Sequence, residues 1–496
     1  MFFHAWNNYL LHGYPHDELA PISCKGQKVH GNIFITLIDA ADTLAIMGEW
    51  SEFARTITII ERIRNFDIDT NVSLFETNIR ILGGLLSAHV IAERKLKGVY
   101  SGKLLPLAED LGKRLMWAFT PASGIPYGTV NLRYGVPIGE TPVVCTACAL
   151  SLSLEFGYLS HLTNDSTYMQ AAKRAARVIW SKRSSYDLLG NHIDSLTQEW
   201  TATASGIAGA MDSAFEYFLK TYLVFHDPFW YQLFIDSYTA VERHVNYNGW
   251  HILVNMQSGT VNSPTFSSLQ AFWAGLQVLA GDVFRATGMM ERMSQLVSVL
   301  PFLPELVNVN YWSFTESRDW PQRPEHIESM LAVYQATKDP GMIEAGFELM
   351  KRMFDFTRTE CGFAGIRNVE NLELQDRQES FFLSETLKYL YLLFDPDNEF
   401  NGPEWVYTTE AHPLPVLPNL SRQSRDQFPI RDPPLSDKDP LDEYQWQREK
   451  IKWSREQCDA VEYRVVKNLY SLAEPDGKGT RWIRDWGYFK KPVLDR

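Results

Sequence analysis

The sequence lacks most of the features that assign a protein quickly. No run comes near the ~18 apolar residues of a membrane-spanning helix. No secretory leader precedes the first amphipathic segment, MFFHAWNNYLLHGYP, which begins at Met1. A targeting segment, if the natural protein has one, is trimmed or lost from this sequence. Positive charge is in short supply: 47 Lys and Arg stand against 60 Asp and Glu, a net charge of −13. That balance argues against a nucleic-acid partner, because phosphate backbones are gripped by clustered cations. There is no H-E-x-x-H zinc pair, no G-x-S-x-G nucleophile elbow and no G-x-x-x-x-G-K-[ST] phosphate loop. The Asp-rich cluster that a prenyl-chain cyclase needs for magnesium diphosphate is approached only by Asp39 and Asp42, which are too sparse.

Cysteine is scarce as well, limited to Cys24, Cys145, Cys148, Cys361 and Cys458. The odd number leaves at least one thiol without a partner in the chain. Cys145 and Cys148 form a C-T-A-C pair, but in an α-rich context without a βαβ pattern, which weighs against a redox role. N-x-S sequons at Asn71, Asn164 and Asn419 lean toward a secretory compartment.

What the sequence does have is a core. Hydrophobic residues make up 45% of it, and 15 Trp contribute to an aromatic content of 13%, enough for flat sugar-stacking faces as well as packing. Apolar helical segments end in similar turns: GYLSHLTND, TYLVFHDP, GLQVLAGD, AVYQATKDP and YLYLLFDPD, with GGLLSAHVIAE as an earlier member. Their spacing of roughly 55 to 75 residues has room for two helices and two connections, so each unit is a hairpin that must stack on its neighbours. About six or seven such hairpins fit into residues 1–400, as an open superhelix or a closed α/α toroid with one deep central cavity. CGFAGIRNV (361–369) and PEWVYTTEAH (403–412) read as short extended pieces. From about residue 413 the chain turns Pro-rich and charged, with one further helical pattern near its end. The expected division is a single large domain over 1–413 and a tail over 414–496.

Acidic residues recur inside apolar helical segments. Glu76 and Arg80 in SLFETNIRILGGLL are four apart and share a helix face, which taken alone reads as a surface ion pair. Asp212 in GAMDSAFEYFLK follows a Gly-rich approach, with Glu216 one turn on, and is equally well a helix-starting aspartate. In PQRPEHIESML, Pro324 suits a first helical turn, which puts Glu325 at the positive end of the helix dipole and favours its ionised form. Glu328 lies one turn further, with Arg323 alongside. Phe381 and Glu385 in QESFFLSETLKYL place a ring beside a carboxylate, a combination that suits a sugar and equally a core Phe with a solvated Glu. Several carboxylates converging on one cavity are unfavourable unless metal, arginine or substrate compensates them, and paired carboxylates are the machinery of glycoside hydrolysis. The stretch YTTEAHPLP, from Tyr407 to Pro415, remains open at this level between a metal site, a helix cap and a linker.

FHAWNNYLLHGYPHDELAP, ITLIDAADTLAIMG, LFETNIRILGGLLSAH, DSAFEYFLK, RPEHIES, ESFFLSETLKYLYLLFD and TTEAHPLP occur in that order. Together they closely resemble the class I α-1,2-mannosidases of glycoside hydrolase family 47. GIPYGTVNLRYGVPIGETPVVCTA, DELAPISCKG and TECGFA resemble in particular the ER degradation-enhancing α-mannosidase-like branch. The resemblance covers residues 1–413 and implies an (α/α)7 barrel plugged by a C-terminal β-hairpin. It also implies a bound calcium ion and inverting removal of terminal α-1,2-linked mannose from N-glycans. By motif, Glu76 and Asp212 match candidate general acids and Glu325 the general base. Arg80, Arg323, Glu328, Phe381, Glu385 and Glu410 match residues lining the sugar and calcium pocket, and Thr409 the one direct protein ligand of calcium. Calcium takes roughly six to eight oxygens, so waters and sugar hydroxyls would complete the sphere. His412 drops out of the metal reading, since calcium prefers oxygen.

The resemblance further implies an ER-lumenal protein acting on high-mannose N-glycans of misfolded glycoproteins, with a thioredoxin-like oxidoreductase as a possible partner. It implies a disulfide between Cys24 and Cys361, and leaves Cys458 as a candidate mixed-disulfide site. The alternative within the same pocket is a lectin that holds the glycan without cutting it. Cys148 departs from the pattern, standing where processing mannosidases carry glutamate and degradation-type relatives a small residue. Ala274 stands where proline is usual.

Overall fold

The turns that recur along the sequence are helix boundaries built to one plan. Asn164, His226, Gly281 and Lys338 close successive helices with φ of 58°, 56°, 87° and 54°, the left-handed conformation that satisfies the last carbonyls of a helix. An aspartate follows each, and its carboxylate accepts a backbone N–H at the start of the next helix. Asp165 takes that of Thr167, Asp227 of Phe229, Asp282 of Arg285 and Asp339 of Gly341. Pro228 and Pro340 occupy the first turn after their caps, where a missing N–H costs nothing.

The computed structural model describes residues 1–418, apart from 312 and 314–316. Within them helices alternate between two rings. The outer ring holds Phe2–Asn8, Trp50–Ile60, Leu104–Leu115, Thr167–Ser181, Pro228–His244, Val283–Val299 and Pro340–Thr357. These bury one side only, as Tyr168, Ala172, Ala176 and Ile179 do for Thr167–Ser181. The inner ring holds Ala41–Ile46, Gly83–Lys95, Ser153–Thr163, Asp212–Phe225, Phe272–Leu279, Glu325–Thr337 and Leu387–Phe394, each with shorter helical pieces where the chain enters it. Here burial is nearly complete: every residue from Gly83 to Ala92 is buried, as is nearly all of Asp212–Phe225. A helix apolar all round needs neighbours all round.

The inner ring closes on itself. Thr43 on the first inner helix donates to the carbonyl of Leu383 on the last at 3.0 Å, and Lys388 reaches back to Asp42 at 2.7 Å. The disulfide Cys24–Cys361, with Cα atoms 5.5 Å apart, ties the same two ends on the outside. Of the two arrangements left open by the repeat, the protein adopts the closed (α/α)7 toroid.

Short antiparallel strand pairs sit on the connections that lead into inner helices. Asn71–Ser73 enters the helix at Leu74, Val143–Cys145 the helix at Thr146, and Ala204–Ser205 precedes Asp212. They crowd the N-terminal ends of the inner helices and build the mouth of the barrel. The opposite end is filled by the hairpin Trp405–Tyr407 with Pro413–Pro415. Its base lies by the C-terminal end of Asp212–Phe225, where Leu417 N–H bonds the Val224 carbonyl at 3.2 Å. Strand Pro413–Pro415 belongs to this plug, with Tyr158 donating to the Pro415 carbonyl at 2.8 Å. The 414–496 tail lies, beyond 418, outside the described residues, together with Asn419 and Cys458.

Candidate active site

The site assembles where inner helices begin. Ser73 caps the helix at Leu74 by accepting the Glu76 N–H at 3.3 Å. The helix then widens into a π turn over Thr77–Leu82, which carries Arg80. A second π turn, Phe382–Thr386, carries Glu385. Each wide turn shifts later residues around the axis relative to a regular helix, and such turns gather at functional sites.

Arg80 joins the parts. Its Nε donates to Glu76 Oε2 at 2.8 Å, and its Nη1 to Ser380 Oγ at 3.1 Å and to Glu410 Oε1. Of the pair read as a surface ion pair, Arg80 is buried, only 9% exposed, and Glu76 is half-buried. Two guanidiniums, those of Arg80 and Arg323, approach the Phe381 ring, each 5.4 Å from its centroid. Arg323 does not pair with Glu328. It forks onto Glu305 at 2.8 and 3.1 Å, and Ser268 holds that carboxylate at 2.7 Å. Glu328 faces Lys220 at 3.8 Å instead, while Lys220 bonds Glu216. Glu305 and Lys220 escaped the sequence reading. Lys220 had a signal, its four-residue spacing from Glu216, but that spacing is common on solvated faces; Glu305 had none.

The electrostatics divide the acids. Burial pushes Asp212 up to about 6, with nearby Glu216 adding to the rise against the N–H of Ser213, which donates to its Oδ1 at 2.7 Å. Burial pushes Glu325 up to about 8 despite Arg323. Its Oε2 has no hydrogen-bond partner. The helix start was expected to favour the ionised form of Glu325; desolvation outweighs it, because a half-charge at a helix end offsets only about 1–2 kcal/mol. Glu328 is raised by burial and by Glu216 despite Lys220, and Glu385 by burial together with Glu325 and Glu328. Glu410 is raised by burial despite Arg80. Glu76 goes the other way: burial would raise it, but Arg80 and His30 hold it below the ordinary value.

Beneath these acids the hairpin tip is locked in place. His412 is fully buried between two aspartates, with Nδ1 2.7 Å from Asp42 Oδ2 and Nε2 3.2 Å from Asp39 Oδ1. Lys388 donates to Asp42 at 2.7 Å and to the Ala411 carbonyl at 2.6 Å. Gly83 and Gly84 make room for the imidazole: a Cβ on Gly83 would stand 2.8 Å from His412 Cδ2. The tip thereby presents half-buried Thr409 and buried Glu410 to the chamber. The stretch is neither a cap nor a linker; it is a buried turn, with the Thr408 hydroxyl accepting the His412 N–H at 3.1 Å.

Among the described residues no three His, Cys, Asp or Glu side chains converge to hold an ion directly. Thr409, next to Glu410 on the tip, and the acids of the chamber offer only oxygen donors, the kind a hard, largely hydrated divalent cation would take. Behind Glu216, Lys220 and Glu328, toward the hairpin, lies a cavity of about 120 Å³ with walls that include Phe272, Leu276 and Trp405.

A sequence model described as glycosyl hydrolase family 47 matches residues 1–416. The chain is 43% identical to alpha-mannosidase I MNS4 of Arabidopsis thaliana, over 85% of this chain and 69% of that protein. It is 40% identical to human ER degradation-enhancing alpha-mannosidase-like protein 2, over 87% of this chain and 79% of that protein. Among solved structures it superposes on an alpha-1,2-mannosidase from Trichoderma reesei with a TM-score of 0.75 at 25% identity, covering 84% of this chain and 97% of that one.

Proposed function

The chain belongs to glycosyl hydrolase family 47 and is a glycoside hydrolase, and from that premise we propose that it is an inverting exo-α-1,2-mannosidase. In this reading it trims high-mannose N-glycans of misfolded glycoproteins in the ER lumen and so commits them to degradation. The similarity to degradation-enhancing mannosidase-like proteins supports the setting. So do its disulfides, which persist in oxidising compartments, and no described helix is long and apolar enough to cross a membrane. Partnership with a thioredoxin-like oxidoreductase is part of the same proposal and rests on the resemblance alone.

The observation that carries the reading is the split among the acids. Two carboxylates whose environments push their pKa values apart are what acid–base work at neutral pH requires. Asp212, raised to about 6, keeps a share of protons and suits the general acid, protonating the leaving oxygen. Glu76, held ionised against Arg80, suits a supporting role for charge developing on the sugar. Glu325, pushed up to about 8 by burial, holds its proton at neutral pH; with its unpartnered oxygen it suits the general base that takes a proton from the attacking water once a bound cation has lowered that value. Arg80, Arg323, Glu328, Phe381, Glu385 and Glu410 would bind and orient the terminal mannose. Thr409 would hold calcium, through its hydroxyl and carbonyl. A bound divalent ion supplies the positive charge the chamber lacks and lowers the pKa of the neighbouring carboxylates.

The test is incubation of the purified protein with a Man9 N-glycan and calcium, following the anomeric protons of released mannose by NMR. Release as the β-anomer, stopped by a calcium chelator, is the expected outcome. Saturable glycan binding with no mannose released would sink the hydrolase reading and leave a lectin.

A further inference from the structure

Cys145 and Cys148 form a second disulfide, with Cα atoms 5.0 Å apart. It spans the entry to an inner helix, and the two residues between the sulfurs are pinned to the barrel mouth. The Thr146 N–H bonds the Asn191 carbonyl at 3.0 Å, and its hydroxyl bonds the Gly190 carbonyl at 2.5 Å. The Ala147 N–H bonds the Ala210 carbonyl at 2.8 Å. Ala210 has φ of 72°, a left-handed conformation costly for a residue with a Cβ, and it lies two positions before Asp212. At the other end of the same short helix, Ser151 bonds Ser213 at 2.8 Å, and Ser213 holds the Asp212 carboxylate. The disulfide-closed turn therefore braces Asp212 from both sides.

We propose that Cys145–Cys148 is a thiol–disulfide exchange site, taking a dithiol as its reductant, and that its redox state sets how firmly Asp212 is placed. The coupling to Asp212 rests on the mannosidase reading; the exchange chemistry does not. Cys148 is half-buried, whereas Cys145 is 9% exposed, so the incoming thiolate attacks the sulfur of Cys148. The S–S bond breaks, and its electron pair leaves on Cys145 Sγ, which already accepts the Cys148 N–H at 2.9 Å. A stabilised leaving thiolate speeds exchange. The second thiol of the donor then attacks the mixed disulfide and frees Cys148. Two protons and two electrons pass from the dithiol to the protein, leaving two cysteine thiols and one donor disulfide.

The experiment treats the folded full chain with graded dithiothreitol, alkylates free thiols and reads each cysteine by peptide mass. Mannose release is followed in parallel. Cys145 and Cys148 should be labelled at reductant levels that leave Cys24–Cys361 intact and the circular dichroism unchanged. Mannose release should fall at least about tenfold, since small displacements of a catalytic group cost up to about 10²-fold, and reoxidation should restore it. Cys148→Ala, which retains Cys24–Cys361, should lose the response to dithiothreitol. A pair that stays oxidised until Cys24–Cys361 opens would overturn the exchange site. Labelling of both cysteines with unchanged mannose release would overturn the coupling to Asp212. Absence of mannose release in either redox state would count against the mannosidase reading alone, while the labelling still decides the exchange site.

Discussion

Two groups of carboxylates, one fully buried and one buried to half-buried, lie within the same barrel and have opposite characters. Asp39 and Asp42, under the hairpin tip, would be raised by burial. His412 and Arg80 hold Asp39 below its ordinary value, and Lys388 and His412 do the same for Asp42. Charge there is matched, and His412 is raised in return by the two aspartates against its own burial. In the chamber above, Glu325, Glu328 and Glu385 face one another, and the cations within reach do not offset their burial. The matched group behaves as framework and the unmatched group as a site awaiting positive charge. Burial of an acid is therefore uninformative until its partners are counted.

The largest expected effect separates the two roles directly. Glu325→Gln should lower mannose release by about 10²–10⁴-fold, the usual contribution of a general base, and leave thermal stability unchanged or raised, because it removes a carboxyl whose ionisation burial penalises more than Arg323 offsets. A variant that unfolds early would place Glu325 with the framework. Asp42→Asn should do the reverse, costing about 3–5 kcal/mol in denaturant unfolding by leaving Lys388 and His412 unmatched. Gly83→Ala attacks the same framework by volume. Its Cβ would meet His412 at 2.8 Å, and an overpacked core of this kind loses about 1–3 kcal/mol. If stability held while activity fell, the tip would be more mobile than its hydrogen bonds indicate.

The smallest effect is a difference in slope. An acid with a raised folded pKa binds more protons when folded. Glu325 thus withdraws stability as pH rises from about 4.3, its value in an unfolded chain, to about 8. Asp39 and Asp42, lowered in the fold, contribute stability above about pH 3.9 that is lost as pH falls through their depressed values. With calcium chelated, unfolding measured at about pH 5 and about pH 8 should show stability declining toward the higher pH, and Glu325→Gln should flatten that decline. Identical slopes in the two proteins would remove Glu325 from the unmatched group.

Much of this was readable along the chain because it is local. The repeated turns named their own helix ends, since a left-handed residue and a capping aspartate act within a few positions of each other, as at Lys338 and Asp339. Glu76, Arg80, Asp212, Glu325, Glu385 and Glu410 were legible as motif positions. Their partners were not: Arg323 was set beside Glu328 and instead grips Glu305, and Glu325 was expected to gain from its helix dipole and instead loses more to burial. The π turns at Thr77–Leu82 and Phe382–Thr386 were invisible as well, because the apolar pattern there reads as an unbroken helix.

The sequence by itself determined the alternation of helices, the apolar faces that force hairpins to stack, and which acids stand at helix entries. These depend on residues a few positions apart. Closure of the ring, the insertion of the 408–412 turn beside Gly83 and Gly84, and the division of acids into matched and unmatched groups were decided only in three dimensions. Each depends on charges and volumes hundreds of residues apart, such as Asp42 with His412 and Lys388. A pKa or a cavity has no meaning until those groups share a dielectric.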